Sequence, residues 1–411
     1  MSLTGTIYVG LSGMNAYSDG LQIISNNVAN LDTIGYKGET VGFSDLYNYT
    51  GQSGLSYLGS GNGESGEGVK VEPAGTNFTQ GTLQQTGNAL DLAVQGDGFL
   101  VLQSSGQTYY ARTGSFSVGQ NGDITLAGTP AGSSYTLMVL NSSNQPTSVN
   151  VNADNTSAPV ATTTITLGDN LSSTATTATV SNISVYDSLG NSHTWAITAT
   201  PSTSSSSSSS GSSDKTWSIA VSDANGTSVG SGTIGFSGGA IDPASSSVTI
   251  NNTPSDGAAA LAVKLDFSSV TSFDAGSTST LATTKVDGNS AGTLSSVTVD
   301  SSGNLVVSYS NSTTKSLGPV AIANIQNPQL LNKMGGGLYS NHDGALSQLV
   351  ASGSSSAGTV VSGQLETSNV NLTQEFGDLI LIQRGYQASS EVVSVSNDMI
   401  QQLFGIRGQG G

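Results

Sequence analysis

Apolar residues near the N-terminus recur every seven positions, at Ile7, Met14, Leu21 and Val28, with Leu11, Ile24 and Leu31 at offsets compatible with the same seam. That spacing predicts a helix with one apolar stripe over residues 4–30. Near the C-terminus Leu372, Phe376, Leu379, Tyr386, Val393 and Ile400 repeat the pattern and predict a second helix over 371–403. Asn371 is placed to cap it, with Gln374 at the reciprocal capping-box position. At 1.5 Å per residue these helices would run about 40 and 50 Å. Two amphipathic helices packed on the protein's own core would show the same stripes. Helix strength shifts the balance. Gly5, Gly10, Gly13 and Gly20 each cost about 1 kcal/mol relative to alanine, so the first helix is marginal until something covers its stripe. Terminal helices that order on association suit a polymer better than a monomer.

Between the ends the pattern changes from a heptad to alternation. Thr108–Phe116 and Ile124–Leu126 flank Asn121-Gly122; Ile183–Tyr186 and Trp195–Ile197 flank Gly190-Asn191. Trp217–Val221 leads to Asn225-Gly226, and Val297–Val299 with Leu305–Tyr309 bracket Gly303-Asn304. Such pairs permit the positive φ of tight hairpins, so the whole middle is expected to be antiparallel β, in sandwiches or small barrels. Gly51–Gly68, with seven glycines, and the nearly pure serine run Ser202–Ser213 have loop composition. The resulting expectation is an α+β multidomain chain: long terminal helices in a coiled-coil-like inner layer, with nested antiparallel β domains between them. Its segments are a helix at 1–33, a linker at 34–86, an inner β domain from 87–167 plus 284–363, an outer β domain at 168–283, and a helix at 364–411.

Composition narrows the function classes. Only 9% of the 411 residues are charged, and 10 Lys and Arg face 27 acids, a formal charge of −17. Phosphate binding needs clustered basic side chains, so nucleic acid is not an expected partner, and anionic membrane surfaces are disfavoured. There is no cysteine, which excludes a disulfide framework and thiolate metal sites. No apolar stretch is long enough for membrane insertion, and Met1-Ser2-Leu3-Thr4-Gly5 opens no cleavable leader pattern.

The catalytic inventory is thin. His193 lies in a predicted hairpin turn and His342 in a Gly-rich loop, with no cysteine or second histidine near either; one imidazole rarely suffices for a transition-metal site. Gly61-Asn62-Gly63-Glu64-Ser65-Gly66 has dinucleotide-binding spacing but lacks the strand before and the helix after it. Paired carboxylates for sugar chemistry would have to come from aspartates that mostly occupy turns, where they serve the backbone. No catalytic residue, cofactor or metal ligand is assigned, and the chain is expected not to be an enzyme.

Two stretches carry a resemblance. Gly10-Leu11-Ser12-Gly13-Met14-Asn15-Ala16, then Ile24-Ser25-Asn26-Asn27-Val28-Ala29-Asn30 and Gly35-Tyr36-Lys37, resemble the N-terminal signature of the flagellar rod and hook axial family. Gly363-Gln364-Leu365-Glu366-Thr367-Ser368-Asn369-Val370-Asn371-Leu372, then Gln383-Arg384-Gly385-Tyr386-Gln387, resemble its C-terminal signature. Length, the large β insertion and the stretch Val185-Tyr186-Asp187-Ser188-Leu189-Gly190-Asn191 resemble the hook branch. The long Gly51–Gly68 segment is similar to an insertion of distal rod subunits, which keeps that reading open. A secreted β-rich adhesin or carbohydrate-binding protein is the alternative of a different class. The resemblance implies a hollow helical homopolymer, a universal joint carrying torque, exported by the flagellar type III apparatus without a cleaved leader. Implied neighbours are the distal rod protein, the hook cap protein and the hook–filament junction protein. It also implies that the C-terminal helix is innermost. At 100° per residue Gln383, Gln387, Ser390, Ser394, Asn397 and Gln401 share one face, polar yet uncharged, and are expected to line the channel. The thirteen stripe residues named at the outset are the expected polymerisation seam.

Overall fold

The computed structural model describes every residue except 1–2, 48–65, 73–74, 130–131, 203–214, 255, 342–346, 355 and 409–411. Helix α1 runs Leu3–Ala29 and helix α2 runs Leu372–Gly408. Asn371 Oδ1 accepts from the amides of Thr373 (3.0 Å) and Gln374 (3.4 Å), satisfying donors that the first turn of α2 leaves without helical partners. At the other end of α1 the amide of Asn30 is shared between the carbonyls of Asn26 and Asn27. Gly35, at φ +70°, then turns the chain back. All other described regular elements are strands or short 3₁₀ helices. Among the described residues no helix is long and apolar enough to cross a membrane.

The chain divides into two units, residues 1–153, 297–306 and 316–411 forming one and residues 154–296 and 307–315 the other. The first holds both helices and a twelve-stranded sheet. Its main path runs through strands 332–335, 338–340, 107–111, 99–104, 136–140, 124–126, 113–118, 91–95 and 359–362. Phe99, Val101, Tyr110, Met138, Ala321 and Tyr339 form a core on it, with the Phe78, Phe99 and Tyr339 rings in mutual contact. Three two-stranded ladders stand apart: 39–40 with 75–76, 43–47 with 66–71, and 83–85 with 364–366.

The second unit has a five-stranded sheet (178–186, 192–201, 215–223, 228–237, 240–241) and a four-stranded one (247–252, 261–266, 164–168, 282–286). Side chains from both, with Trp195 and Trp217 fully buried, make one apolar core. The hairpin expectations are met at Ile183↔Trp195, at Ile124↔Val118 and around Gly226, whose φ is +81°.

The middle is not wholly antiparallel: Ile165 pairs with Leu265 in parallel. The long excursion through the five-stranded sheet supplies the crossover that a parallel pair needs. The segment expected as an outer domain, 168–283, falls inside the second unit, which extends further on both sides. Gly66–Gly68 of the glycine-rich segment belong to the strand Gly66–Val71. The amide of Ser202 bonds to the carbonyl of Thr216. The rest of both segments and His342 lie outside the described residues.

Candidate functional site: the junction of the two chain ends

The segments just after α1 and just before α2 meet in the first unit around three charged side chains. Lys37 and Glu366 have no exposed side-chain surface and Arg112 has almost none. Glu366 Oε1 accepts from Lys37 Nζ at 2.6 Å and from the amide of Gly81 at 2.7 Å, while Oε2 accepts from Arg112 Nε at 3.4 Å. Lys37 also donates to the Thr79 carbonyl at 2.7 Å. The Arg112 guanidinium donates to the carbonyls of Val94, Gly96 and Gly98. A buried charge is tolerable only when its hydrogen-bonding capacity is met, and here each has several partners. Burial still pushes the Lys37 ammonium below its ordinary range, and the neighbouring Glu366 carboxylate opposes that shift.

The main chain is tied at the same place. Gly35 donates to the Glu366 carbonyl at 2.8 Å, and Glu366 donates to Thr113 Oγ1 at 3.1 Å. A Cβ on Gly35 would stand 2.9 Å from Thr113 Cγ2, and the left-handed backbone disfavours any other residue. Asn369 accepts from the amide of Gly38 at 2.9 Å and donates to the carbonyls of Asn77 and Thr79.

A second polar group sits where the helices themselves meet. Asn27 is buried on α1. It accepts from the Glu39 amide at 2.9 Å and donates to the Glu39 carbonyl at 2.8 Å and to Glu375 Oε1 on α2 at 3.1 Å. The Tyr36 hydroxyl donates to Asn27 Oδ1 at 3.2 Å, and Lys333 Nζ lies 4.2 Å from the centre of the Tyr36 ring. Burial, with the Glu39 and Glu375 carboxylates nearby, raises the Tyr36 phenol to about 12. Burial first, and Asp378 beside it, raises the Glu375 carboxyl, with the Asn27 hydrogen bond opposing.

Above this the two helices run against each other with a glycine of one helix facing a side chain of the other. A Cβ on Gly10 would meet Val393, on Gly13 Ser389, on Gly20 Ile382, and on Gly385 the Tyr17 ring, each at 3.0 Å or less. On α1 the contact line includes Gly10, Gly13, Tyr17, Gly20 and Asn27. The glycines that weaken α1 as an isolated helix are what let α2 approach it.

Three family profiles match the chain: "Flagella basal body rod protein" at residues 7–37, "Flagellar hook protein FlgE/F/G D1 domain" at 93–170, and "Flagellar basal body rod FlgEFG protein C-terminal" at 361–406. The flagellar hook protein FlgE of Rhizobium meliloti is 30% identical over 99% of this chain and 100% of that one. This chain belongs to the flagellar hook protein family. FlgE of Escherichia coli is 29% identical over 97% of this chain and 98% of its own, and FlgE of Treponema pallidum 29% over 98% and 99%. The family is structural, not enzymatic.

Within this hook-family chain the expected seam residues do not all face the partner helix. Ile24 is buried; Ile7, Met14, Val28, Leu31, Leu379, Val393 and Ile400 are half-buried; Leu11, Leu21, Leu372, Phe376 and Tyr386 are exposed. Gln383, Gln387, Ser390, Ser394, Asn397 and Gln401 are all exposed. On the opposite flank of α2, so are Leu381, Val392, Val395, Met399 and Leu403.

Lys37, Arg112, Glu366 and Asn27 were not singled out from the sequence, although three of them lie inside the motifs that carry the resemblance. The available signal was rarity: in a chain with few charges, a lysine between Tyr36 and Gly38 is conspicuous. His193, read as isolated, has its Nε2 3.1 Å from Asp187 Oδ2 and 3.6 Å from Asp256 Oδ2 in the second unit. There Asp187 closes its own turn by accepting from the amides of Leu189 and Asn191. Against the effect of burial, its carboxyl is held well below the usual range by His193 first and then by the Asn191 amide.

Proposed function

We propose that this chain is a structural subunit of the bacterial flagellar hook, polymerising into a curved hollow tube that carries motor torque to the filament and passes export substrates. The observation that carries the assembly step is the apolar surface left open on both terminal helices: Tyr8, Leu11 and Leu21 on α1, and Phe376, Ile380, Leu381, Val392, Val395, Met399, Leu403 and Phe404 on α2. Covering each such side chain contributes on the order of 1.5–3 kcal/mol, and patches of this extent mark association surfaces. The thirteen stripe residues from Ile7 to Ile400 then serve two surfaces. Ile24, with the half-buried members, supports the helix pair, and the exposed members meet neighbouring copies in a coiled-coil-like inner layer. The polar stripe from Gln383 to Gln401 lines the channel. The second unit, poor in charge, forms the outer contacts that exchange as the tube bends.

The partners of this reading are further copies of the chain, the distal rod protein, the hook cap protein, the hook–filament junction protein and the flagellar type III export apparatus. Electron microscopy of concentrated protein tests the polymer directly. Hydrogen exchange tests what holds it: α1 and α2 should exchange faster in the soluble subunit, where only their mutual contact covers them, than in tubes. Equal protection in both states would rule out association through these helices.

A further inference from the structure

The helix pair excludes a slip of one residue but does little by itself to exclude a slip of a whole heptad. Because Gly10, Gly13 and Gly20 present no side chains, α1 offers α2 a shallow surface with few knobs. Yet a slip of one residue shifts the contact by about 1.5 Å and turns it by about 100°, placing bulky residues such as Leu11 or Met14 where a single methyl group already collides. Every subunit must also present the same open apolar stripes, or neighbouring copies cannot repeat. Alignment has to be imposed from somewhere that cannot slide.

We propose that the buried Lys37–Glu366–Arg112 triad, together with the Asn27–Glu375 hydrogen bond, is a register lock for the terminal helix pair. The inference rests on the hook-subunit reading. Lys37 follows the last residue of α1, Ala29, by eight positions, and Glu366 precedes the first residue of α2, Leu372, by six. Arg112, pinned by three carbonyls of the 94–98 segment, sits at the bend between strands 107–111 and 113–118. A slip on either side would carry Lys37 or Glu366 out of reach and leave a fully buried charge uncompensated, the costliest state such a site has. Asn27 repeats the device inside the helix contact. A buried asparagine in an apolar seam discriminates between registers because only one of them gives it partners, and here those are Glu375 and the main chain of Glu39. The three charges and the asparagine therefore act less as added stability than as a choice among alignments.

The natural chain has no cysteine, so engineered pairs can report alignment in assembled tubes. Gly13→Cys with Ser389→Cys reports the native register, since a Cβ on Gly13 would lie 3.3 Å from that of Ser389, near disulfide distance. Gly13→Cys with Ser396→Cys reports a slip of one heptad. The unlocked chain carries Lys37→Met, Glu366→Gln and Asn27→Leu, which leaves Arg112 its carbonyl partners. The locked chain should cross-link only at the native pair. In the unlocked chain that cross-link should fall about tenfold, the slipped pair should appear, and tubes should lose regular diameter. A role confined to stability would lower the melting temperature without producing the slipped pair. Exclusive native cross-linking in the unlocked chain overturns the proposal. If that chain does not fold, the double variant Lys37→Met/Glu366→Gln is read the same way, with the same overturning result. Failure of the locked chain to form tubes counts against the hook reading and leaves the lock to be read from its intramolecular cross-link.

Discussion

Gly10 of α1 lies so close to Val393 of α2 that a methyl group added to it would come within 2.7 Å of Val393 Cγ2, and within 3.2 Å of the main-chain oxygen of Ser389. Neither neighbour yields easily, because a β-branched side chain in a helix has one favoured rotamer and the oxygen is backbone. Gly10→Ala should therefore act with opposite signs in two settings. In a peptide spanning α1 it should raise helicity, by about 1 kcal/mol of propensity. In the intact protein it should weaken the α1–α2 contact by about 1–3 kcal/mol of overpacking. Circular dichroism of the peptide and hydrogen exchange of α2 in tubes measure the two. A gain in both would show that the helices do not pack as described.

The junction should carry an alkaline liability. Tyr36 titrates near 12 when folded and near 10 when unfolded. Between those values the unfolded chain gives up a proton that the folded chain keeps, so stability falls as pH rises through this window, by up to about 1.4 kcal/mol per unit. Below pH 10 Tyr36 contributes no slope. Lys37, whose folded value is lowered, gives a slope of opposite sign from its folded value up to the unfolded one. Comparing the natural chain with Tyr36→Phe isolates the tyrosine. Denaturant melts at pH 9 to 12 should lose stability faster for the natural chain than for the variant; parallel curves would contradict the burial of the phenol.

The second unit can be removed at one place better than at another. Ser157 and Gly292 are partners across an antiparallel ladder, so deleting 158–291 and closing with a short turn leaves no strand without its neighbours. Cutting at 168–283 instead leaves the remnant of Thr164–Gly168 without Leu261–Asp266 and without its pairing to Ala282 and Thr283. The first deletion should be exported and form tubes of altered curvature, held by the helix pair; the second should aggregate. Export of the first with folded helices but no tubes would place the essential contacts in the second unit.

The exposed polar face of α2 predicts a transport effect. With the Gln383–Gln401 stripe lining the channel, as proposed, unfolded substrates of either charge would pass many copies of it, and fixed charges would hold some segments and repel others. Replacing Ser390, Ser394 and Asn397 with lysine should leave hook assembly largely intact, since all three side chains are exposed, while filament growth slows. Normal filament length distal to hooks shown to contain the triple variant would end the lining hypothesis.

Both terminal helices, the β character of the middle and several hairpin turns were legible in the chain alone, because heptad spacing, alternation and Asn-Gly pairs are local signals that each element writes into its own residues. The family was legible for a related reason: its signatures sit at the two ends in short, unbroken runs. What the helices touch was not legible. Hydrophobic periodicity marks Leu11, Leu21 and Phe376, which the subunit leaves exposed, and passes over Gly10, Gly13 and Gly385, where the helices meet, because a glycine contact carries no hydrophobic signal. The clasp was hidden by distance, since Lys37 and Glu366 are 329 positions apart and neither belongs to a periodic pattern. The parallel pairing of Ile165 with Leu265 was hidden likewise. Elements follow from neighbours along the chain, whereas the alignment of the helices and the burial of three charges depend on which distant segments the fold brings together.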